Sequence, residues 1–184
     1  MTHKKYKTYR FVPVVLALVA LLAATQAHAQ TTANGPYYAT PSWDQTLPAS
    51  TRFIVLSNFA NAAVLDRETG LVWEKVPSTT QLNWASASRH CVRLSLGGRK
   101  GWRLPTIQDL ASLIDPTQSN PSLPAGHPFT VQSGSLYWSV SSSAKFDTGA
   151  WYVYFGNGGV GSADKSDLAN YAWCVRGGPG VDPQ

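Results

Sequence analysis

This 184-residue chain has no HExxH helix, no CxxC pair and no phosphate loop of the GxxxxGK[ST] kind, which argues against the usual zinc-protease, dithiol-redox and nucleotide-binding chemistries. Histidine is scarce. Of four, His3 and His28 fall near the N-terminus, leaving His90 and His127 for any metal or acid–base role. His127, between Gly126 and Pro128, reads as a loop residue. Cysteine is scarcer still, with only Cys91 and Cys174. No apolar run reaches the roughly 20 residues that a helix needs to cross a bilayer; the longest, Phe11 to Ala24, has 14. The basic excess is also smaller than it looks. Four of the 15 Lys and Arg (Lys4, Lys5, Lys7, Arg10) lie in the first ten residues, so 11 basic against 10 acidic residues remain, a net +1. Whole-protein attraction to nucleic acid is therefore unsupported, and any anion binding has to come from a local patch.

What is present begins with a leader. A basic start, the apolar run and the small-x-small triplet Ala27, His28, Ala29 make residues 1–29 a secretory signal peptide, with the mature chain starting at Gln30. The expected location is periplasmic or extracellular, with no membrane span after cleavage. Residues 30–51 carry Asn34, Gly35, Pro36, Pro41 and Pro48 and read as an extended linker, with Tyr37, Tyr38 and Trp43 available to dock on the domain or meet a partner.

A single domain is expected over residues 52–178, followed by a flexible tail, 179–184. FIVL (53–56) is a short strand, and AAVLD (62–66) and LVWEK (71–75) form a hairpin closed at Gly70. Asp66 and Glu68 are read as turn residues that cap their own backbone, not as a catalytic pair. A helix is predicted from Trp84 to Leu96, capped by Asn83 and stopped by Gly97 and Gly98, with Trp84, Ala87, Cys91 and Leu94 on its apolar face. GWRLPTIQDL (101–110) follows. Pro105 disfavours helix at Leu104, and Thr106 with Asp109 three residues on has the capping-box form that opens a second, short helix. Trp102 and Leu104 are expected to be buried and Arg103 to be paired internally. After a proline-rich loop (117–135), LYWSV (136–140) and AWYVYF (150–155) are strands, the second alternating Trp151, Val153, Phe155 with a half-exposed Tyr152, Tyr154 face. A weaker strand near Val160, a polar loop (162–170) and a closing strand YAWCVR (171–176) complete the domain.

Two cysteines in an exported chain are most simply a disulfide, and Cys91 with Cys174 would tie the two halves together. The rival, a nucleophilic thiol at Cys91 beside His90, lacks a second histidine or asparagine signature. No catalytic residues, metal ligands or cofactors are therefore assigned; Asp164 and Asp167 alone are too few oxygens for calcium. The most distinctive polar feature runs from Arg89 to Arg103, with five cations (Arg89, Arg93, Arg99, Lys100, Arg103) and no acidic residue. Guanidinium forks match sulfate and carboxylate groups. Arg89, Arg93, Arg99 and Lys100 are the candidate anion-binding residues, set against the plainer reading of a solvated helix face; Tyr152 and Tyr154 are added as a candidate contact surface.

AVLDRETGLVWEK, NWASASRHC, GWRLPTIQDLASLID, LYWSVSS, AWYVYFGNG and WCVRGG resemble, in order and spacing, the Lcl C-terminal domain family of exported bacterial proteins. The resemblance covers about residues 52–178. It implies an α+β fold of the C-type-lectin-like class, with two helices packed on small twisted antiparallel sheets and long loops. It also implies a binding role, in adhesion or glycan recognition. The calcium triplets EPN, QPD and WND of true C-type lectins do not occur. The expectation is a non-enzymatic binding module for an anionic glycan or an envelope or surface protein. A structural interaction domain without glycan binding is the alternative, and an enzyme of unknown type is third.

Overall fold

Residues 46–178 are described by a computed structural model. The leader, residues 30–45 of the linker and the tail 179–184 lie outside the described residues. The fold is α+β. Among the described residues, three short α-helices, α1 (Ala49–Arg52), α2 (Trp84–Arg93) and α3 (Ile107–Ala111), accompany seven strands: β1 (Phe53–Val55), β2 (Ala63–Asp66), β3 (Val72–Glu74), β4 (Leu136–Ser142), β5 (Gly149–Tyr154), β6 (Gly159–Asp164) and β7 (Val175–Arg176). One antiparallel sheet has the order β1-β2-β3-β7 and the other β4-β5-β6. Among the described residues, no helix is long and apolar enough to cross a membrane.

The predicted hairpin is β2–β3, with Val64 opposite Trp73 and Gly70 turning at φ +71°. The last residue of β2 is not merely a turn cap. Asp66 is fully buried and receives both Arg52 Nε and Arg52 Nη2 at 2.9 Å, besides Glu68 N and Thr69 Oγ1 at 3.0 Å. Arg52 Nη1 also meets Glu68 at 2.8 Å. Residues 49–51, read from sequence as the end of an extended linker, form α1 together with Arg52, the expected first residue of the domain.

Helix α2 starts as expected, the Asn83 side chain accepting from Ser86 N at 2.9 Å. It stops at Arg93 rather than Leu96, because Leu94 is already extended (φ −62°, ψ 138°) and Leu96 and Arg99 bridge across a tight glycine turn. Gly97 is needed there. At φ +56°, a Cβ on it would stand 2.5 Å from Phe59 Cα. Helix α3 has the full capping box, Asp109 N donating to Thr106 Oγ1 and Thr106 N donating to Asp109 Oδ2.

Two differences concern the last third. β6 runs over six residues, longer than the weak strand expected near Val160, because each residue from Gly159 to Asp164 pairs with β5. The closing segment 171–176 is regular strand only at Val175 and Arg176, and the reason is that it serves both sheets. Tyr171 bridges Tyr137 of β4, while Val175 faces Trp73 and Arg103 on its two sides. A chain that changes partners within five residues cannot hold one ladder.

The core lies around this segment. Trp173 is fully buried, with ring centroids of Trp73, Phe129, Tyr137 and Phe155 at 5.0 to 5.4 Å, and its indole N–H donates to Glu74 O at 2.8 Å. A second cluster joins Ala87 and Cys91 of α2 to Trp102, Leu104, Trp138 and Cys174. Trp102 and Leu104 are each 2% exposed, and Arg103 bonds Asp109 Oδ2 at 2.8 Å and Gly177 O at 3.0 Å, so this stretch is scaffold.

Candidate functional site

Helix α2 positions the site. Its buried side, Ala87 and Cys91, is fixed to the closing segment by the Cys91–Cys174 disulfide, with Cα atoms 5.3 Å apart. Trp84 Nε1 donates to Ser139 O at 2.8 Å, anchoring the first turn to β4. With those residues facing inward, helical geometry sends Arg89 and Arg93, four apart, outward together. Both are exposed. The chain then turns away at Leu94, and the concavity so formed, about 670 Å³, is lined by Ser86, Arg89, His90, Arg93, Leu94 and Ser95. Arg89 Nη2 donates to Ser86 Oγ at 2.9 Å, which ties one guanidinium to the preceding turn of the helix. Among the described residues, no carboxylate lines the groove. Two guanidinium groups in one concave site suit a sulfate, phosphate or carboxylate; Arg93, in the last turn, also complements the negative end of the helix dipole, a purely structural use.

The other candidates lie elsewhere. Arg99 donates to Asn58 O at 2.6 Å and sits over the Phe59 ring at 4.6 Å, so its guanidinium is held on the scaffold. Lys100 is exposed and its carbonyl receives Arg176 Nε at 2.9 Å; neither residue lines the groove. Tyr152 and Tyr154 are half-buried on β5, opposite Gly161 and Gly159 of β6, and line a second depression of about 390 Å³ with Leu136, Asn157 and Val160. Of the predicted residues, Arg89 and Arg93 thus share the groove, Tyr152 and Tyr154 share the second depression, and Arg99 and Lys100 line neither. His127 stacks on Phe129, its Nδ1 accepting Phe129 N at 3.2 Å, and Asp164 accepts Ser166 N and Oγ at 2.8 and 2.7 Å within its own turn.

Behind the groove is a feature that the sequence reading missed. Glu74, at the end of β3, is 7% exposed, and its Oε2 accepts Cys174 N at 3.3 Å. His90 turns its Nε2 inward, where it is buried without a hydrogen-bond partner. Glu74, His90 and Cys174 bring a carboxylate oxygen, an imidazole nitrogen and a sulfur to within 4.8 Å of one another. Burial pushes the Glu74 carboxyl up to about 7, against an ordinary 4.5, and holds the His90 imidazole below its usual 6.5. The one available signal was a charged residue ending the apolar run LVWE; nothing in the spacing places it against His90.

Comparison with known families matches residues 62–176 to a family described as the Lcl C-terminal domain. Comparison with curated proteins finds no match.

Proposed function

The chain belongs to the Lcl C-terminal domain family, and on that premise we propose that it is an exported, non-enzymatic binding module of C-type-lectin-like architecture that takes an anionic glycan at the groove of helix α2. The observation that carries this reading is the pairing of Arg89 and Arg93 in one concavity free of carboxylates. A repeating sulfated or uronic-acid polymer presents charges along a strand, and two guanidinium groups one helical turn apart can contact successive groups bidentately. Each exposed contact is weak alone and screened by salt, so affinity depends on several such contacts along one polymer.

The leader fits this role. A signal peptide over residues 1–29 delivers the mature chain to the periplasm or beyond, where the Cys91–Cys174 crosslink is at home. An adhesive function at the envelope or surface follows from that delivery. A glycan array with the mature protein, read at low and at high salt, tests the proposal. Salt-sensitive binding to sulfated or carboxylated glycans is expected. Binding only to an envelope protein, with no glycan retained, would favour the alternative of a protein-interaction domain.

A further inference from the structure

We propose that the dithiol form of this protein binds one divalent cation of the zinc class, through the His90 imidazole, the Glu74 carboxylate and the freed sulfur of Cys174. The three donors come from α2, β3 and the segment before β7, and already lie within 4.8 Å of one another. They are the nitrogen, oxygen and sulfur ligands that zinc accepts. Around a tetrahedral ion at 2.0–2.3 Å, donors stand roughly 3.3–3.8 Å apart. A contraction of about 1 Å, within the reach of side-chain rotation once the crosslink is open, would therefore complete the set.

A second observation points to the same place. His90 Nε2 is buried and has no hydrogen-bond partner among the described residues, which is costly for a polar atom taken out of water. Glu74 beside it is 7% exposed and meets no cation among the described ion pairs. A buried carboxylate beside an imidazole whose Nε2 has no partner is an arrangement that a cation would satisfy. In the oxidised protein the third donor is withheld, because the Cys174 sulfur is bonded to Cys91. The crosslink and the metal are then alternative occupants of one core position.

Opening the bond takes two electrons and two protons, giving a thiol at each cysteine; a dithiol reductant leaves as its own disulfide. Metal binding displaces to solvent the Cys174 thiol proton and any proton held by the buried Glu74 carboxyl; reoxidation by a disulfide oxidant, which takes up the two electrons and leaves as its dithiol, rejoins Cys91 to Cys174 and expels the ion. Cys91, released in the same step, is the nearest further sulfur for the fourth position.

Cobalt(II) serves as the probe. Mature protein is reduced with a phosphine, which becomes the phosphine oxide by taking the oxygen of water, and is titrated beside the oxidised protein. The expected result is one Co²⁺ per chain, with a sulfur-to-cobalt charge-transfer band, in the reduced protein only. Cys91→Ala should give the band without reductant. Glu74→Gln, which lies outside the groove, should weaken binding by at least the 10- to 100-fold lost when an outer-shell partner is removed. Should the reduced chain unfold, cobalt should restore its near-ultraviolet dichroism. Absence of the thiolate band in both reduced wild type and Cys91→Ala, or an affinity unchanged by Glu74→Gln, overturns the proposal. Glycan binding by the oxidised protein is unaffected either way, so the two readings fail separately.

Discussion

One oxygen of Asp109 accepts simultaneously from Arg103 Nη1 at 2.8 Å and from the backbone N–H of Thr106 at 2.9 Å. The carboxylate that closes the capping box of α3 therefore also fixes the arginine of the preceding corner. Asp109→Ala should cost about 1–3 kcal/mol, since it removes a cap and a charge-assisted bond together. Thr106→Ala should cost about 1 kcal/mol. Urea denaturation should show the double variant losing less than the two single losses added, because both act on one box.

The Arg52–Asp66 pair is more costly to break. Both side chains are buried, and the guanidinium also bonds Ser112 O at 2.7 Å, so the pair pins the end of α1, β2 and the C-cap of α3. Asp66→Ala leaves a buried guanidinium only partly matched by Glu68, and a loss of about 3–5 kcal/mol is expected. Thermal melting of Asp66→Ala against Arg67→Ala, a neighbouring exposed arginine, should separate the buried pair from a general charge effect.

The disulfide joins residues 83 apart. On chain-entropy grounds its reduction should lower stability by roughly 4–5 kcal/mol, a large part of the 5–15 kcal/mol typical of a domain. Denaturation of oxidised and reduced protein in metal-free buffer measures the difference.

Stability should also depend on pH through Glu74. Its folded-state value, about 7, lies above the ordinary 4.5, so the folded chain holds a proton that the unfolded chain releases. That contribution is complete below pH 4.5 and is lost as pH rises to about 7, a change on the order of 3 kcal/mol. His90 runs the other way, adding stability as pH rises through its depressed value toward 6.5. Glu74→Gln should remove the decline and leave the His90 rise. Equal pH profiles for wild type and Glu74→Gln would show that Glu74 ionises normally.

Local rules reached far into this fold. Asn83, Thr106 and Gly70 announced their cap, box and turn because each acts within four residues, and the expectation of export was what paired Cys91 with Cys174. Helix α2 was read three residues too long because Leu94 fits a helical period, whereas the glycine turn that pulls it away is set by the approach of Phe59 to Gly97. The burial of Arg52 and Glu74 was not legible for the same reason: Asp66 is 14 residues from Arg52, and His90 lies on another element from Glu74. Of the basic run, sequence alone could not tell that Arg99 is held by Asn58 and Phe59 while Arg89 and Arg93 share a groove.

The central claim concerns those two arginines. The most direct measurement is the affinity of the oxidised mature protein for a sulfated polysaccharide, wild type against Arg89→Ala/Arg93→Ala, at 50 and 300 mM salt, values on the order of the range over which surface charge is screened. The account predicts salt-sensitive binding that the double variant weakens by at least about tenfold, at about 0.7 kcal/mol or more per arginine, with an unchanged melting temperature. Binding that is equal in both proteins, or indifferent to salt, would contradict it.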